Sequence, residues 1–106
     1  MNAQNANHAK LTGDWTIAGV KAQVERLTGY TSKTVHEPEN SLMTVDCGDI
    51  VEIDMTGLQL LYVWLHCVRQ RGLQPCLTNL PECMSRLMAR LGVDKLFADT
   101  YPDLAA

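Results

Sequence analysis

Val51-Glu52-Ile53-Asp54-Met55-Thr56-Gly57-Leu58-Gln59-Leu60-Leu61 decides the fold, because an apolar, β-branched approach gives way within a few residues to an apolar run at helical spacing. Val51 and Ile53 read as the end of a strand. Asp54 stands at the junction, where a carboxylate can accept the first free backbone N–H groups of the helix that follows. Thr56 falls in the first turn, where those donors and the positive end of the helix dipole gather, so a phosphoryl group or a partner's anion would be favoured there. The same residues also suit a plain N-cap ahead of a core helix.

Projected at about 100° per residue, the segment after Gly57 gathers Leu58, Leu60, Leu61, Tyr62, Trp64, Leu65, Cys67 and Val68 into a broad apolar arc. Only Gln59, His66 and Gln70 form a polar stripe. One sheet face does not need so wide an arc, so a neighbouring element of the same domain or a partner covers the remainder. Arg69, Arg71 and Gly72 give the helix a basic end and a stop. Residues 73–78 then read as a strand, with Pro75 pointing to an edge or a strand start. Asn79-Leu80-Pro81-Glu82 opens a further helix with Pro at its first position, a buried stripe of Met84, Leu87, Met88 and Leu91, and Gly92 at its end. A short last segment brings Phe97 onto the core.

Upstream, residues 1–8 show no periodicity and are expected to be a frayed, flexible terminus. Residues 9–15 form a strand with a bulge or turn at Gly13-Asp14, and Thr16 is a candidate N-cap for a helix that buries Ile17, Val20, Val24 and Leu27 and ends near Thr28-Gly29. Residues 30–40, polar and carrying Pro38, form a surface connection; residues 41–47 are a strand closed by Cys47-Gly48-Asp49. Alternating strands and helices predict an α/β fold: a single small domain over residues 9–98, a mixed β-sheet with helices packed on it, and a loose tail at 99–106.

A chain of 106 residues, 46% hydrophobic, buries one compact core and scarcely two. Its net charge of −3 and the lack of a Lys/Arg cluster argue against nucleic acid as a partner. The longest apolar run, residues 60–65, falls far short of the roughly twenty residues that cross a bilayer, so no membrane insertion is expected. Cys47, Cys67, Cys76 and Cys83 have no zinc-ribbon spacing and follow no export-type apolar run, which predicts reduced, buried thiols in a cytoplasmic protein. No Gly-rich phosphate loop or Gly-x-Ser-x-Gly elbow is present, and the adjacent His66 and Cys67 point about 100° apart on a helix. No catalytic residue and no cofactor is assigned. Asp46, Asp49, Glu52 and Asp54 crowd one turn, but strand alternation splits them between faces, which favours solvated or capping carboxylates over a metal site.

Residues 52–61 resemble the signature of the STAS family, the domain of bacterial anti-sigma-factor antagonists, in which Asp is followed by Ser or Thr, a small residue, and Gly-Leu. Leu11-Thr12-Gly13-Asp14-Trp15-Thr16-Ile17 is similar to the family's passage from a strand into its first helix, and residues 87–97 to its last helices. The resemblance implies a non-catalytic interaction domain whose exposed corner docks a protein partner, an ATP-using anti-sigma kinase or comparable signalling protein, and releases it when the corner hydroxyl is phosphorylated. On that basis the expected partner-binding residues are Asp14, Trp15, Thr16 and Ile17 together with Asp54, Met55, Thr56, Gly57 and Leu58. The position directly after the Asp, where the family carries its acceptor hydroxyl, is Met55. Thr56 is the only hydroxyl in the corner, either a displaced phosphorylation site or a small residue at the helix start. Thr16-Ile17 is more like chemotaxis-operon and lipid-transport-associated members, which implies a second possibility: an accessory subunit stabilising the ATPase of a lipid-transport ABC system, without a phosphoswitch. Trp15, Trp64 and the surplus apolar arc leave a small-ligand pocket open as a third.

Overall fold

Strands and helices alternate from end to end in the computed structural model, which describes residues 8–33 and 41–97. They are β1 (His8–Trp15), α1 (Val20–Lys33), β2 (Ser41–Ile53), α2 (Met55–Gln70), β3 (Leu73–Thr78), α3 (Glu82–Leu91) and a closing 3-10 turn over Asp94–Phe97. The frayed terminus and the loose tail expected from the sequence lie outside the described residues, except that His8 opens β1; the expected connection at 30–40 lies outside from residue 34 on, residues 30–33 continuing α1. No helix among the described residues is long and apolar enough to cross a membrane.

The sheet runs β1-β2-β3, with both pairings parallel. A helix joins each successive pair of strands, and such a crossover brings the chain back in its original direction. The sheet expected to be mixed is therefore parallel throughout the described residues. Ala9, Leu11 and Trp15 of β1, Met43, Val45 and Cys47 of β2, and Leu73 and Leu77 of β3 are all buried, whereas Lys10, Leu42 and Gln74, which point the other way, are exposed. One face of the sheet carries the core, and the helices cover that face.

β2 breaks this alternation twice. After Cys47 its next buried residues are Ile50 and Ile53, in steps of three. The register shows why: Lys10 lies opposite Asp46 but Thr12 opposite Asp49, and Gly13 opposite Ile50 but Asp14 opposite Glu52. Each shift is one extra residue in β2, a bulge that reverses which side chains face inward. Strict alternation would have turned Asp49 and Val51 into the core along with Ile53; the first bulge brings Ile50 inward instead, and the second restores the original parity, so that Ile53 faces the core. The strand expected to close at Cys47-Gly48-Asp49 thus continues to Ile53.

Against this face pack Leu58, Leu61, Trp64, Leu65 and Val68 of α2, with Met84, Met88 and Phe97 beyond them. Full burial of a side chain of this size contributes about 1.5–3 kcal/mol. α3 is capped as its sequence implies by Gly92 in the left-handed region (φ 70°), though Pro81 is its N-cap rather than its first helical residue and Leu91 stays 39% exposed.

α1 departs more from expectation. It begins at Val20, because Thr16 is held in a turn by Asp14 and accepts the Gly19 N–H (2.9 Å), which leaves Ile17 out of the helix. It also runs through Gly29 to Lys33. A helical glycine costs only about 1 kcal/mol, and the turn beyond it is anchored: Tyr30 packs against Trp64 with ring centres 6.3 Å apart. The Tyr30 hydroxyl accepts the Lys10 N–H (3.2 Å) and donates to the Lys10 carbonyl (3.1 Å), while Gln23 Nε2 donates to the carbonyls of Thr12 and Asp14 (3.0 Å each). Side chains of α1 therefore satisfy the outer edge of β1. That task, rather than an inward apolar stripe, shapes the helix: Leu27 is buried, but Val24 is 44% exposed.

Of the four thiols expected to be buried, Cys47 alone is fully so, and burial pushes it up to about 12. Cys76 is half-buried, and Cys67 and Cys83 sit on exposed helix surface.

Two glycines make contrasting predictions for urea unfolding. A methyl group on Gly57 would come within 1.7 Å of the Trp15 carbonyl oxygen, so Gly57→Ala is expected to lose at least about 1–3 kcal/mol. Nothing lies within 4 Å of the same group on Gly29, so Gly29→Ala is expected to gain about 0.5–1 kcal/mol.

Candidate functional site

Asp54 leaves β2 in an extended conformation and becomes the N-cap of α2. Its Oδ1 accepts the Gly57 N–H at 3.1 Å, and its Oδ2 accepts the Ile17 N–H at 3.0 Å from the loop that follows β1. The Asp54 N–H in turn donates to the Trp15 carbonyl at 3.5 Å. One carboxylate thereby ties together two loops that lie 37 residues apart in sequence. The first loop is fixed on its own side as well: Asp14 Oδ1 accepts the Thr16 N–H (2.8 Å) and the Thr16 hydroxyl (2.6 Å). Gly19 closes it, since a Cβ there would stand 2.4 Å from the Asp14 carbonyl oxygen.

The nine residues expected at the partner surface are brought into one place but not all to the surface. Trp15 is wholly buried with its indole N–H donating to the Thr12 carbonyl (3.2 Å), and Gly57 and Leu58 are buried beside it. These three shape the corner from beneath. Asp14 is exposed, Thr16, Asp54 and Thr56 are half-buried, and Ile17 (68%) and Met55 (53%) are its exposed apolar side chains. The backbone N–H of Thr56 faces the Asp54 carboxylate, so the ordinary capping role passes to the main chain rather than to the hydroxyl.

The surface extends further than the motif. Met55 continues into Tyr62, Val63 and Leu91, which are 40%, 57% and 39% exposed and line an open groove of about 540 Å³ along α2. Leu58 and Phe97 lie beneath, with Phe97 edge-on to Tyr62 at 5.6 Å. The wide apolar arc of α2 was the sequence signal for it: the domain covers Leu61, Trp64, Leu65 and Val68, and leaves Tyr62 and Val63 open. A smaller groove, about 280 Å³, lies between α1 and α2 beside Val24, Trp64 and Arg71. Trp15 lines neither of these two grooves, and Trp64 lines the smaller one.

The acidic cluster is dispersed into separate tasks. Asp46 Oδ1 accepts from the Gly48 N–H (2.9 Å) and from Asn79 Nδ2 (3.1 Å), Asp49 pairs with Lys10 (3.1 Å), and Asp54 caps α2. Among the described residues no group of three His, Cys, Asp or Glu side chains could hold a metal ion.

The Ile17 N–H holds the Asp54 carboxyl below the usual carboxylate range, with help from the Gly57 and Thr56 N–H groups and against partial desolvation and the charge of Asp14. Asp14 is lowered by the Thr16 hydroxyl and N–H, and Asp46 by the Gly48 N–H and Asn79. A carboxylate whose folded pKa is depressed stabilises the fold above its unfolded pKa, about 3.9, and that contribution is lost as pH falls through the folded value. Urea midpoints of the unmutated chain are therefore expected to fall more steeply between about pH 5 and pH 2 than those of Asp54→Asn, which starts lower at pH 7. Equal slopes would show that Asp54 is not engaged as described.

The family described as Mlab, STAS domain matches residues 2–98 of the chain. No curated protein matches it. Among solved structures, the crystal structure of a sulfate transporter family protein from Wolinella succinogenes shares the fold, with a TM-score of 0.66 and 18% identity over 90% of this chain and 74% of that one. STAS domains are generally non-catalytic binding modules. With the family match spanning the whole alternation of strands and helices, and the capped corner standing where the motif places it, the chain belongs to the STAS domain family and is, at that level, a regulatory protein-interaction module.

Proposed function

We propose that the chain is a docking subunit that binds one protein partner through the Asp54 corner and the adjoining length of α2, and that it holds this partner continuously rather than through a phosphoswitch. Under this reading the partner is an ATP-using protein in the cytoplasm, of the class of the ATPase in a lipid-transport ABC system. The Thr16-Ile17 loop and the family description support that class. The observation that carries the reading is Met55, 53% exposed at the position where a phosphorylated family member has its hydroxyl.

The corner's electrostatics support the same conclusion. Asp54 already takes the N–H groups of Ile17, Gly57 and Thr56, so a phosphate would meet a carboxylate where free donors would otherwise receive it. It would bring about −1.5 to −2 charge onto a surface whose projecting side chains are Ile17 and Met55. Two apolar side chains beside a polar rim of Asp14 and Thr16 suit a contact with a desolvated centre.

A second reading has one observation in its favour: Thr56 is half-buried rather than sealed, at the second residue of α2. An anti-sigma-factor antagonist that docks a kinase-type anti-sigma factor would be phosphorylated there. Incubation with a candidate kinase and ATP, followed by intact-mass analysis, separates the two. Added phosphate that disappears in Thr56→Ala supports the switch, and an unchanged mass supports continuous docking.

With a purified candidate ATPase, Ile17→Asp and Met55→Glu are each expected to weaken binding about 30-fold or more in calorimetry, the roughly 2 kcal/mol of an interface hot spot, with unchanged circular dichroism. Binding by both variants equal to that of the unmutated chain would remove the corner from the interface.

A further inference from the structure

We propose that the groove between α1 and α2 binds a single-chain alkyl carboxylate, with the tail along Leu60, Val63 and Trp64 and the head group at Arg71. This groove shares only Val63 with the one that begins at Met55, and its occupancy does not rest on the docking reading.

The lining is apolar along its length and charged at one end. Leu27 and Trp64 are nearly sealed, 2% and 5% exposed, while Val24 of α1 and Val63 of α2 stand 44% and 57% exposed. Tyr30 braces Trp64 with ring centres 6.3 Å apart, so this surface is preformed. Thr28 brings a hydroxyl to the lining, but that hydroxyl donates to the Val24 carbonyl at 2.9 Å within α1. Arg71 is the charged member of the lining, exposed at the C-cap of α2, and no carboxylate among the described residues pairs with it.

An apolar trough with one free cation selects an amphiphile with one negative charge. A guanidinium meets a carboxylate through two parallel N–H···O bonds, a geometry that a lysine could not offer. A dianionic phosphate ester would find no second cation in the lining and would face the negative pole of the α2 dipole. Size sets the tail. Leu60, Val63, Trp64, Cys67 and Arg71 succeed one another at steps of three and four residues along one flank of α2. From Leu60 to Arg71 the helix rises about 16 Å, roughly the length of an extended carboxylate of ten to twelve carbons. A volume of about 280 Å³ lies just under the range of sites for drug-sized ligands and suits a slender chain rather than a ring system.

The cysteines report occupancy position by position. Cys67 is exposed and lines the groove, Cys83 is exposed on α3 away from it, and Cys47 is buried in the sheet. The full chain is alkylated with iodoacetamide in dodecanoate below its micelle concentration, and each cysteine is followed by peptide mass analysis. Alkylation of Cys67 is expected to slow about fivefold when the groove is four-fifths occupied, while Cys83 keeps its rate and Cys47 stays unlabelled. Arg71→Gln is expected to raise the half-saturating dodecanoate concentration about tenfold, the loss of one charge-assisted contact, and dodecanol to shield the unmutated chain no better. Val24→Glu, which puts a charge on the apolar wall, is expected to abolish shielding. Unslowed Cys67, equal slowing of Cys67 and Cys83, or labelling of Cys47, the mark of detergent-like unfolding, each overturns the proposal. Equal shielding by dodecanol and dodecanoate overturns it too. So does shielding of Cys67 by rising protein concentration or by a partner ATPase with none by dodecanoate, which would make the occupant a second copy or the partner.

Discussion

The Trp15 carbonyl and the Cα of Gly57 approach so closely that a methyl group would stand 1.7 Å from the oxygen, and this contact lets α2 start directly against the end of β1. The rest of the functional end follows from it. β1 and β2 are parallel neighbours, so both finish at the same end of the sheet, the end where open α/β sheets present their sites. With Gly57 pressed against Trp15, the Asp54 carboxylate comes within hydrogen-bond distance of the Ile17 N–H. Two loops become one surface, and its shape is set by main-chain donors rather than by long flexible side chains.

The packing beneath supplies what that contact needs. The first bulge in β2 brings Ile50 onto the core face and the second returns Ile53 to it, so the strand arrives at Asp54 with its apolar side still turned toward α2. α1 completes the frame from the outside by satisfying the free edge of β1 through Gln23 and Tyr30. α2 is then the element with more apolar surface than the domain covers, and the uncovered part, Met55, Tyr62 and Val63, runs on from the corner. A scaffold that is fixed at one end of its central helix and apolar along the adjacent groove is suited to holding another molecule, with no chemistry of its own required.

Features governed by neighbouring residues were legible in the sequence. The Asp54 cap, the extent of α2 and β3, the Gly92 cap and the docking of Phe97 each depend on a short stretch with a local rule, and the motif at residues 52–61 added the family and its corner. Features governed by distant residues were not. Gly48-Asp49 looks like a turn, and only its register against Thr12 shows it to be a bulge. Gly29 looks like a helix stop because the hydrogen bonds that carry α1 past it run from Tyr30 to Lys10. Ile17 looks like the first residue of a helical stripe and is instead drawn onto the surface by Asp54, while Trp15, expected at the surface, is enclosed by the helix that Gly57 lets in. The motif marked the corner; which of its residues face outward was decided by tertiary contacts.

The claim that the two loops act as one docking surface is tested most directly by hydrogen–deuterium exchange of the chain with and without a saturating partner. The account predicts that residues 14–19 and 54–63 gain protection together, in a single step as partner is added, while the exposed sheet face around Lys10, Leu42 and Gln74 stays unchanged. Protection confined to that open face, with both loops exchanging as in the free chain, would contradict it.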